Sequence, residues 1–506
     1  QSPRLTTGHV LLVFLCGLAL GQFVWEVTQF PVLTAAVLGP GIWGHLPRCS
    51  LTPCALLVAV GLMAFWMACA RLLTRQDTGR NWHERLRRDA FTYTPAFLLL
   101  AVTLPGTEMM APYLLILAAA GLVALKLHNC GLRIADRGAG QSKIQNRKSE
   151  ILVHALLWAG IGIYFLAFSA MGILQYYALN VAFGDAGVWD NMMWNTWHGK
   201  FLTTESGYLL REHMLFIVLL LLPIYMLVPG MPTLMVVQTA ALAAGAIPIF
   251  WLAREHLKSD LAALVLALAY LLYPPLQLVN LQATYVTFSP ISFSIPLLLF
   301  GFYFLTKGRL AAFSVCAFLT LLCREEFALT VLALGIYAAL ELRRRAFGWS
   351  CVMVGALWFF LSIWVAIPYF RGSTPHFLDH YSHLGGSATQ IARTLTLHPL
   401  HAFAASFDSG KIVFLLSLLV PLGLLPLLGL KELALAAPAI AYSLLSNRES
   451  QVSTLFHYHT PIVPFAAIAA VYGARNLPWL WARLKRTLQD ERAPVVSVAT
   501  LGLLLT

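Results

Sequence analysis

The densest set of residues able to do chemistry lies between positions 183 and 213. Asp185 and Asp190 are carboxylates, a group that can act as a general base by taking a proton from a hydroxyl. Glu212 and His213 follow directly before an apolar run and add an acid and an imidazole. An ionisable group at the edge of an apolar segment is costly to place and marks a functional site. This segment is therefore the first candidate for chemistry.

Two further groups of ionisable residues interrupt or border apolar runs. Arg324 and Glu325 break an apolar stretch that extends from 310 to 341. They are either the ion-paired tip of a hairpin or a cation that carboxylates orient toward a phosphate, and acids of this kind also serve as ion relays in transporters. His457 and His459 precede another apolar run. Gathered on one side of the molecule, these groups predict a polar cavity.

The elements that must position these residues are membrane helices. Of the 506 residues, 59% are hydrophobic and 11% are charged, whereas a soluble domain carries about 25% charged residues. One crossing takes about 20 apolar residues, and the apolar runs of this chain suffice for about 14–16 hydrophobic helices. The composition excludes a soluble enzyme and a disordered chain, and it predicts an all-α polytopic integral membrane protein.

The formal net charge of +12 does not indicate nucleic-acid binding. The sequence has no long basic tail and no aromatic RNA-binding pattern, and Lys and Arg collect on the cytoplasmic loops of membrane proteins. We therefore expect membrane lipids, and no nucleic acid, as partners. The eight cysteines lie mostly inside apolar runs, where Cys acts as a small hydrophobe, and their spacing predicts no zinc site.

The basic connections predict the topology. They lie at 71–88, 126–148, 343–345 and 475–492. All of them fall in the cytoplasm only if the apolar run 213–228 enters the membrane without crossing it, as a re-entrant or juxtamembrane segment. The N-terminus is then cytoplasmic, and the long outer loops are 175–212, 276–289, 370–411 and 447–458.

The first outer loop has a local pattern of its own. Gly184 and Gly187 predict a tight turn, and from Val188 onward the apolar positions recur at helical spacing. The loop should therefore contain an interfacial helix rich in Trp. Asp185 and Asp190 would lie at the start of that helix, where the helix dipole favours carboxylates. An N-cap is the alternative to a catalytic role.

The chain divides into three predicted parts. Residues 1–150 form an N-terminal module of four transmembrane helices, residues 151–480 form a transmembrane core with the outer loops, and residues 481–506 form a basic cytoplasmic loop and the start of a further span.

The core resembles a bacterial family of predicted membrane proteins, catalogued as domain of unknown function 2079. The residues that carry the resemblance are Asp185 to Gly199, the pair Glu212-His213, residues 267–274, and His457 to Gly473. Those proteins resemble in turn the GT-C superfamily of glycosyltransferases. The resemblance covers residues 151–480 and leaves out residues 1–150.

The resemblance implies an enzyme of the bacterial inner membrane with its active face outside the cytoplasm. Such an enzyme passes a sugar from a polyprenyl-phosphate donor to an acceptor, with inversion. The implied catalytic residues are Asp185, as the base, and Asp190. The implied substrate-binding residues are Glu212, His213, Arg324, Glu325, His457 and His459. A divalent cation, Mg²⁺ or Mn²⁺, could shield the leaving phosphate on ligands such as Asp190, Glu212 or His213.

One departure from that family pattern leaves alternatives open. Relatives usually carry His where this chain has Ser289, between Phe288 and Pro290. The first alternative is a non-catalytic scaffold that holds partner proteins through its N-terminal module. The second is a lipid or solute transporter, which the sequence favours less because it shows no inverted repeat with broken helices.

Overall fold

The computed structural model describes residues 7–28, 59–64, 66–67, 93, 143–177, 183–205, 207–281, 288–373, 376–406 and 408–489. The predicted four-helix module of residues 1–150 therefore lies mostly outside the described residues, as does most of the predicted segment 481–506.

The described residues are almost entirely helical, which confirms the all-α prediction. Helices α1 to α19 are, in order, Thr7–Thr28, Lys143–Tyr177, Phe183–Trp197, Val218–Leu227, Met231–Ala244, Ala246–Leu257, Asp260–Leu271, Pro274–Leu281, Ser294–Thr306, Leu310–Leu321, Phe327–Leu340, Arg345–Phe360, Ile367–Arg371, Ala388–Leu397, Pro399–Ser406, Ser409–Leu419, Leu430–Leu433, Ala437–Leu445 and Val463–Gln489. Two short strands, β1 (Thr203–Thr204) and β2 (Gly207–Tyr208), pair antiparallel as a small hairpin.

Short 3₁₀ segments connect several helices. They are Leu209–Arg211, Pro290–Phe293, His376–Leu384, Val420–Leu422, Leu425–Leu428, Ala434–Ala436, Glu449–Val452 and His457–His459. A π-helical segment, Leu361–Ala366, joins α12 to α13. Helix α2 begins at Lys143, so the end of the predicted basic connection 126–148 is helical.

Three described helices are long and apolar enough to cross a membrane: Val153–Tyr177, Met231–Leu257 and Arg345–Arg371. A fourth crossing is formed if α7 and α8, which bend by 41° at their junction, make one span. Several shorter apolar helices surround them. The chain is thus an all-α membrane protein with more than one span, as its composition predicts.

Helix α4 is too short to cross. Its ten residues measure about 15 Å, half of a hydrocarbon core of about 30 Å. Pro223 lies inside this helix, and Gly230, at φ 126°, turns the chain into α5. That residues 213–228 enter the membrane without crossing it stays a prediction.

The helix ends form two separate polar faces. The first-loop face joins segments that the sequence assigns to outer loops, and its contacts include Glu212 with Arg371, His213 with Glu325, Asn447 with His380, and His459 with Pro275. The basic face joins the opposite ends, and its ion pairs are Arg254 with Glu150 and Asp260, Lys307 with Glu255, and Lys431 with Glu341. The positive-inside rule predicts a cytoplasmic location for the basic face, and this orientation stays a prediction.

The central span is formed by α5 and α6. In the most apolar stretch of this span, 61% of the residues are buried, against 22% in the spans of α2 and α12. A smaller share of the latter two helices is therefore buried within the protein. Helices α11 and α12 pack very closely. If Gly348 carried a Cβ atom, that atom would lie only 2.5 Å from the Gly335 carbonyl oxygen. Small residues allow such close approach of helix backbones within membranes.

A buried polar network connects four elements of the core. Gln238 donates to the Asn280 carbonyl at 3.0 Å, and Thr239 donates to the Asn280 side chain at 3.0 Å. Asn280 in turn donates to the Tyr164 hydroxyl at 3.3 Å, while the Ser289 amide donates to Gln238 at 2.9 Å. The network fixes α2, α5, α8 and the start of the 290–306 segment relative to one another.

Lys411 is buried without a carboxylate bonded to its ammonium. It is 3% exposed, and its Nζ donates to the backbone carbonyls of Ser406, Leu444 and Ser446, the last two at 2.7 and 2.9 Å. The three carbonyls belong to the ends of α15 and α18. One ammonium group therefore joins the long segment 376–406 to the membrane helices.

Replacing Lys411 with Met should lower the free energy of unfolding by about 3 kcal/mol, because three buried carbonyls lose their donor. Chemical denaturation of the purified protein in detergent measures this change. The control is Lys431→Met, since Lys431 is exposed and pairs with Glu341 on the basic face; its stability should stay at the wild-type value. Equal stability of the Lys411→Met protein and the wild type would contradict the structural role of the ammonium.

The two-face arrangement predicts accessibility from outside the cell. A single cysteine at Asp379 should react with a membrane-impermeant maleimide on intact cells, in a chain whose native cysteines are replaced. A single cysteine at Arg345 should react only after the membrane is permeabilised, because it lies beside the basic face. Labelling with the opposite pattern would reverse the topology.

Candidate functional site

Helix α3 begins earlier than the sequence predicts. The predicted turn at Gly184 to Gly187 is wrong, since both glycines lie in the first turns of a continuous helix from Phe183 to Trp197. A glycine inside a helix costs about 1 kcal/mol, and burial of apolar side chains on α3 offsets this cost. Those side chains are Ala186, Met192 and Met193, each at most 2% exposed.

Asp185 is the third residue of α3 and so does not cap it. Its side chain lies outside the described part of the chain. Asp190 follows five residues later, which places the two positions about 140° apart around the helix axis. The two positions therefore lie on different sides of the helix.

Asp190 is held by a tyrosine. The Tyr225 hydroxyl, which is almost fully buried, donates to Asp190 Oδ1 at 2.8 Å. This bond joins α3, which carries Asp185 and Asp190, to α4 in the segment 213–228. Tyr225 is a functional candidate that sequence reasoning missed, because it sits within an apolar run.

His213 and Glu325 form the central contact of the site. His213 Nδ1 lies 2.8 Å from Glu325 Oε1, and the Met214 amide donates to Glu325 Oε2 at 2.9 Å. Burial raises the pKa of Glu325, but the His213 charge and hydrogen bond, together with the Arg324 charge, outweigh burial and lower the pKa to about 2. Glu325 is therefore an ionised carboxylate with both oxygens occupied.

Arg324 lies next to this contact and is itself buried. Its Nε donates to Glu326 at 2.5 Å, and its Nη1 lies 3.2 Å from His457 Nε2. Burial raises the pKa of Glu326 despite the arginine. Burial and the Arg324 charge both hold the pKa of His457 well below its ordinary value. His457 is therefore neutral and accepts the hydrogen bond from Arg324.

A second arginine approaches from the 447–458 loop. The guanidinium carbons of Arg324 and Arg448 lie 5.7 and 5.9 Å from the centre of the Tyr458 ring. Arg448 Nη1 also lies 3.1 Å from His380 Nε2. Two cations thus contact one aromatic ring at the ends of apolar helices, an arrangement that sequence spacing alone does not indicate.

Glu212 and His459 lie away from the central contact. Glu212 accepts from Arg371 at 2.8 Å, and this pair is partly exposed at the rim of the first-loop face. His459 is fully buried, and its ring nitrogens lie 2.8 and 2.9 Å from the carbonyl oxygens of Phe456 and Pro275. The structure thus brings together His213, Arg324, Glu325 and His457 but uses His459 to attach its turn to α8.

The candidate metal ligands are not gathered. In the described part of the chain, no group of three His, Cys, Asp or Glu side chains is placed to hold a metal ion. Asp190, Glu212 and His213 are each bonded to a different partner: Tyr225, Arg371 and Glu325. These residues do not fit the expected site for Mg²⁺ or Mn²⁺.

Ser289, where this chain departs from the expected family pattern, is 4% exposed, and its amide donates to Gln238 of α5 at 2.9 Å. The ring of its neighbour Phe288 packs edge-on against Trp189 of α3 at 6.1 Å. Ser289 is thus bonded to α5, while the residue before it contacts α3.

Replacing Glu325 with Gln should lower the free energy of unfolding at neutral pH by about 3 kcal/mol, the energy equivalent of the depressed pKa of Glu325. The native pKa lies below the ordinary value of 4.5, so this stabilisation is complete above pH 4.5 and is lost as pH falls toward 2. The difference between wild type and variant should therefore shrink across that window, as followed by denaturation in detergent at a series of pH values.

The matched control for this measurement is Glu341→Gln, which removes a partly exposed acid of the basic face that pairs with Lys431. A difference for Glu325→Gln that stays constant from neutral pH to pH 2.5 would show that the depressed pKa contributes nothing to stability.

Comparison with known proteins agrees with the sequence resemblance. Residues 175–506 match the family described as Predicted membrane protein (DUF2079). No curated protein and no solved structure matches the chain. The matched segment is more than half of the 506 residues and includes every candidate site residue. The chain therefore belongs to the DUF2079 family of predicted membrane proteins.

Proposed function

We propose that this membrane protein is a glycosyltransferase of the GT-C type, which passes a sugar from a polyprenyl-phosphate donor to an acceptor outside the cytoplasm. The observation that carries the proposal is the meeting of Arg324 and Arg448 on the Tyr458 ring, at the ends of apolar helices. Guanidinium groups are the side chains best suited to phosphate oxygens. Their position suits a phosphate whose lipid tail lies among the spans.

The chemistry requires a base near the phosphate. In the proposed reaction, Asp185 takes the proton of the acceptor hydroxyl while the hydroxyl oxygen forms its bond to the anomeric carbon. The bond from that carbon to the phosphate oxygen breaks, and the lipid phosphate leaves with the electron pair. Attack opposite the leaving group inverts the anomeric carbon. A base of this kind contributes about 10²- to 10⁴-fold to the rate.

Contacts in the first-loop face support placing base and phosphate in one site. Asp190 on α3 is bonded to Tyr225 on α4, and the first residues of that segment reach the Arg324 loop. The Ile217 amide donates to the Leu322 carbonyl at 2.9 Å, and His213 contacts Glu325. A continuous series of contacts thus runs from the acidic helix to the arginine pair.

The predicted membrane orientation also supports the proposal that the protein is a glycosyltransferase. The charged connections collect on the basic face, which the positive-inside rule assigns to the cytoplasm. The first-loop face is then extracytoplasmic, where a lipid-linked sugar can meet an acceptor without a nucleotide donor. We propose the bacterial inner membrane as the location, and lipids together with partner proteins bound by residues 1–150 as the neighbours.

A second candidate function is that of a non-catalytic scaffold. The observation that favours it is the buried Ser289, at the position where the expected family pattern has His. A hydroxyl cannot replace imidazole as an acid or base near neutral pH. Purified protein tested with a radiolabelled polyprenyl-phosphate hexose and candidate acceptors separates the two functions. Transfer above the background of an Asp185→Asn, Asp190→Asn double variant supports the enzyme, and its absence with every donor supports the scaffold.

Asp185→Asn should reduce the transfer rate by about two orders of magnitude, because an amide cannot take the acceptor's proton. Its effect on stability should be small, since a carboxylate in the first turn of a helix contributes about 0.3–1 kcal/mol. The measurements are the single-turnover transfer rate and the unfolding temperature in detergent.

The control for the base assignment is Asp379→Asn, which removes an exposed acid from the same face. It should transfer at the wild-type rate. An Asp185→Asn protein with full activity would end the assignment of Asp185 as the base, whatever the role of Asp190.

A further inference from the structure

Buried polar atoms without partners concentrate in residues 442–457. The five atoms are the hydroxyl oxygens of Tyr442, Ser443 and Ser450, the amide oxygen Oε1 of Gln451, and Nδ1 of His457. We call these five side chains the donor cluster. Buried polar groups are nearly always hydrogen-bonded in native proteins, so an unpaired group indicates a missing partner. Five such atoms within 16 residues indicate a missing ligand.

The segments that carry the donor cluster pack on one another. Helix α18 contacts both the 449–452 and the 457–459 turns, and those two turns contact each other. Tyr442 lies close enough to Arg324 and Glu326 to feel their charges. His457 contacts Arg324 directly, and Gln451 contacts His380, the partner of Arg448. The cluster thus lies between the two arginines of the first-loop face.

The proton position on His457 follows from its partner. Arginine can only donate hydrogen bonds, so His457 Nε2, at 3.2 Å from Arg324 Nη1, must accept. In a neutral imidazole the other nitrogen then carries the hydrogen. The unpaired Nδ1 of His457 is therefore an N–H donor.

The same reasoning fixes the Gln451 amide. Arg448 donates to His380 Nε2, so His380 Nδ1 carries the hydrogen and must donate to Gln451 at 3.4 Å. The structure places Gln451 Nε2 at this distance from His380 Nδ1. Exchanging the amide oxygen and nitrogen, which are assigned from the hydrogen-bond network, turns the oxygen toward His380. The atom that remains unpaired is the amide nitrogen, which is a donor.

Each member of the donor cluster can therefore donate a hydrogen bond, because a hydroxyl can rotate its hydrogen toward an acceptor. Of the nearby acids, Glu326 is bonded to Arg324 and Glu325 to His213, whereas Glu449, between Arg448 and Ser450 in the sequence, is exposed. Among its described contacts, the Arg448 guanidinium meets the rings of His380 and Tyr458. A set of donors flanked by two guanidiniums suits a ligand made of acceptor oxygens with negative charge.

We propose that the donor cluster, with Arg324 and Arg448, binds an oxyanion of the phosphate class. The inference deepens the proposed function, on which it rests for the biological ligand, by placing the phosphate in residues 442–457 rather than on the arginines alone. The same chemistry would also bind free inorganic phosphate, so the two sources must be separated by experiment.

The test uses the full chain in detergent and measures binding by calorimetry with three probes: sodium phosphate at constant ionic strength, a short-chain prenyl phosphate, and the matching prenyl alcohol. Both phosphates should bind and the alcohol should not. A prenyl phosphate that binds far more tightly than sodium phosphate identifies a lipid ligand, whereas equal affinities identify the free anion as sufficient. Absence of binding by both phosphates would overturn the inference.

Two variants remove only unpaired hydroxyls. Tyr442→Phe and Ser450→Ala should each weaken phosphate binding by about tenfold or more, because each removes a hydrogen bond to a charged oxygen. The unfolding temperature without ligand should stay the same or rise, since an unpaired buried hydroxyl is lost. Ser169→Ala is the matched control, because Ser169 has a buried unpaired hydroxyl on α2; its phosphate affinity should equal that of the wild type.

Affinity that is unchanged in both cluster variants would also overturn the inference. The oxyanion site and the proposed transferase activity can each fail without the other. Phosphate binding that depends on Tyr442 and Ser450, in a protein without transfer activity, would remove the transferase proposal alone. Transfer activity with no contribution from these hydroxyls would remove the oxyanion site alone.

Discussion

The arrangement of the first-loop face depends on the carboxylate of Glu325. One of its oxygens meets His213 and the other accepts the Met214 amide, so a loop 111 to 112 residues earlier in the chain is fixed at the junction of α10 and α11. The same carboxylate lies beside Arg324, whose guanidinium reaches Glu326 and His457. Glu325 and Arg324 thus place His213 and His457 against one loop, which the Ile217 amide also reaches through the Leu322 carbonyl.

Local sequence was sufficient for features that depend on composition. The apolar stretch from 310 to 341 forms α10 and α11, since a helix in lipid needs an unbroken apolar run. The sequence did not show which side chains pair across long separations in the chain. Tyr225 and Arg371 find their carboxylates 35 and 159 residues away, and nothing in their own surroundings distinguishes them. The prediction of a turn at Gly184 was wrong because the packing of α3 outweighed the weak helix propensity of glycine.

His457 and His459 are separated by one residue in the sequence, yet they have different roles in the structure. His457 accepts from an arginine and keeps one nitrogen unpaired, whereas both nitrogens of His459 face backbone carbonyls. A spacing pattern cannot separate them, because the difference arises from residues of other helices. The same holds for the arginines: only the fold shows that Arg324 and Arg448 meet on Tyr458, and this meeting gives the proposed phosphate chemistry its physical basis.

The close crossing of α11 and α12 has a mechanical consequence. Their backbones touch at Gly335 and Gly348 with no room for a side chain between them, so the two helices must move as one rigid body. Glu325 lies two residues before α11, and Arg371 ends the helix that continues α12, so this body contacts His213 and Glu212 at two points. A tilt of the pair against α5 and α6 would therefore act on the first loop through both of these contacts.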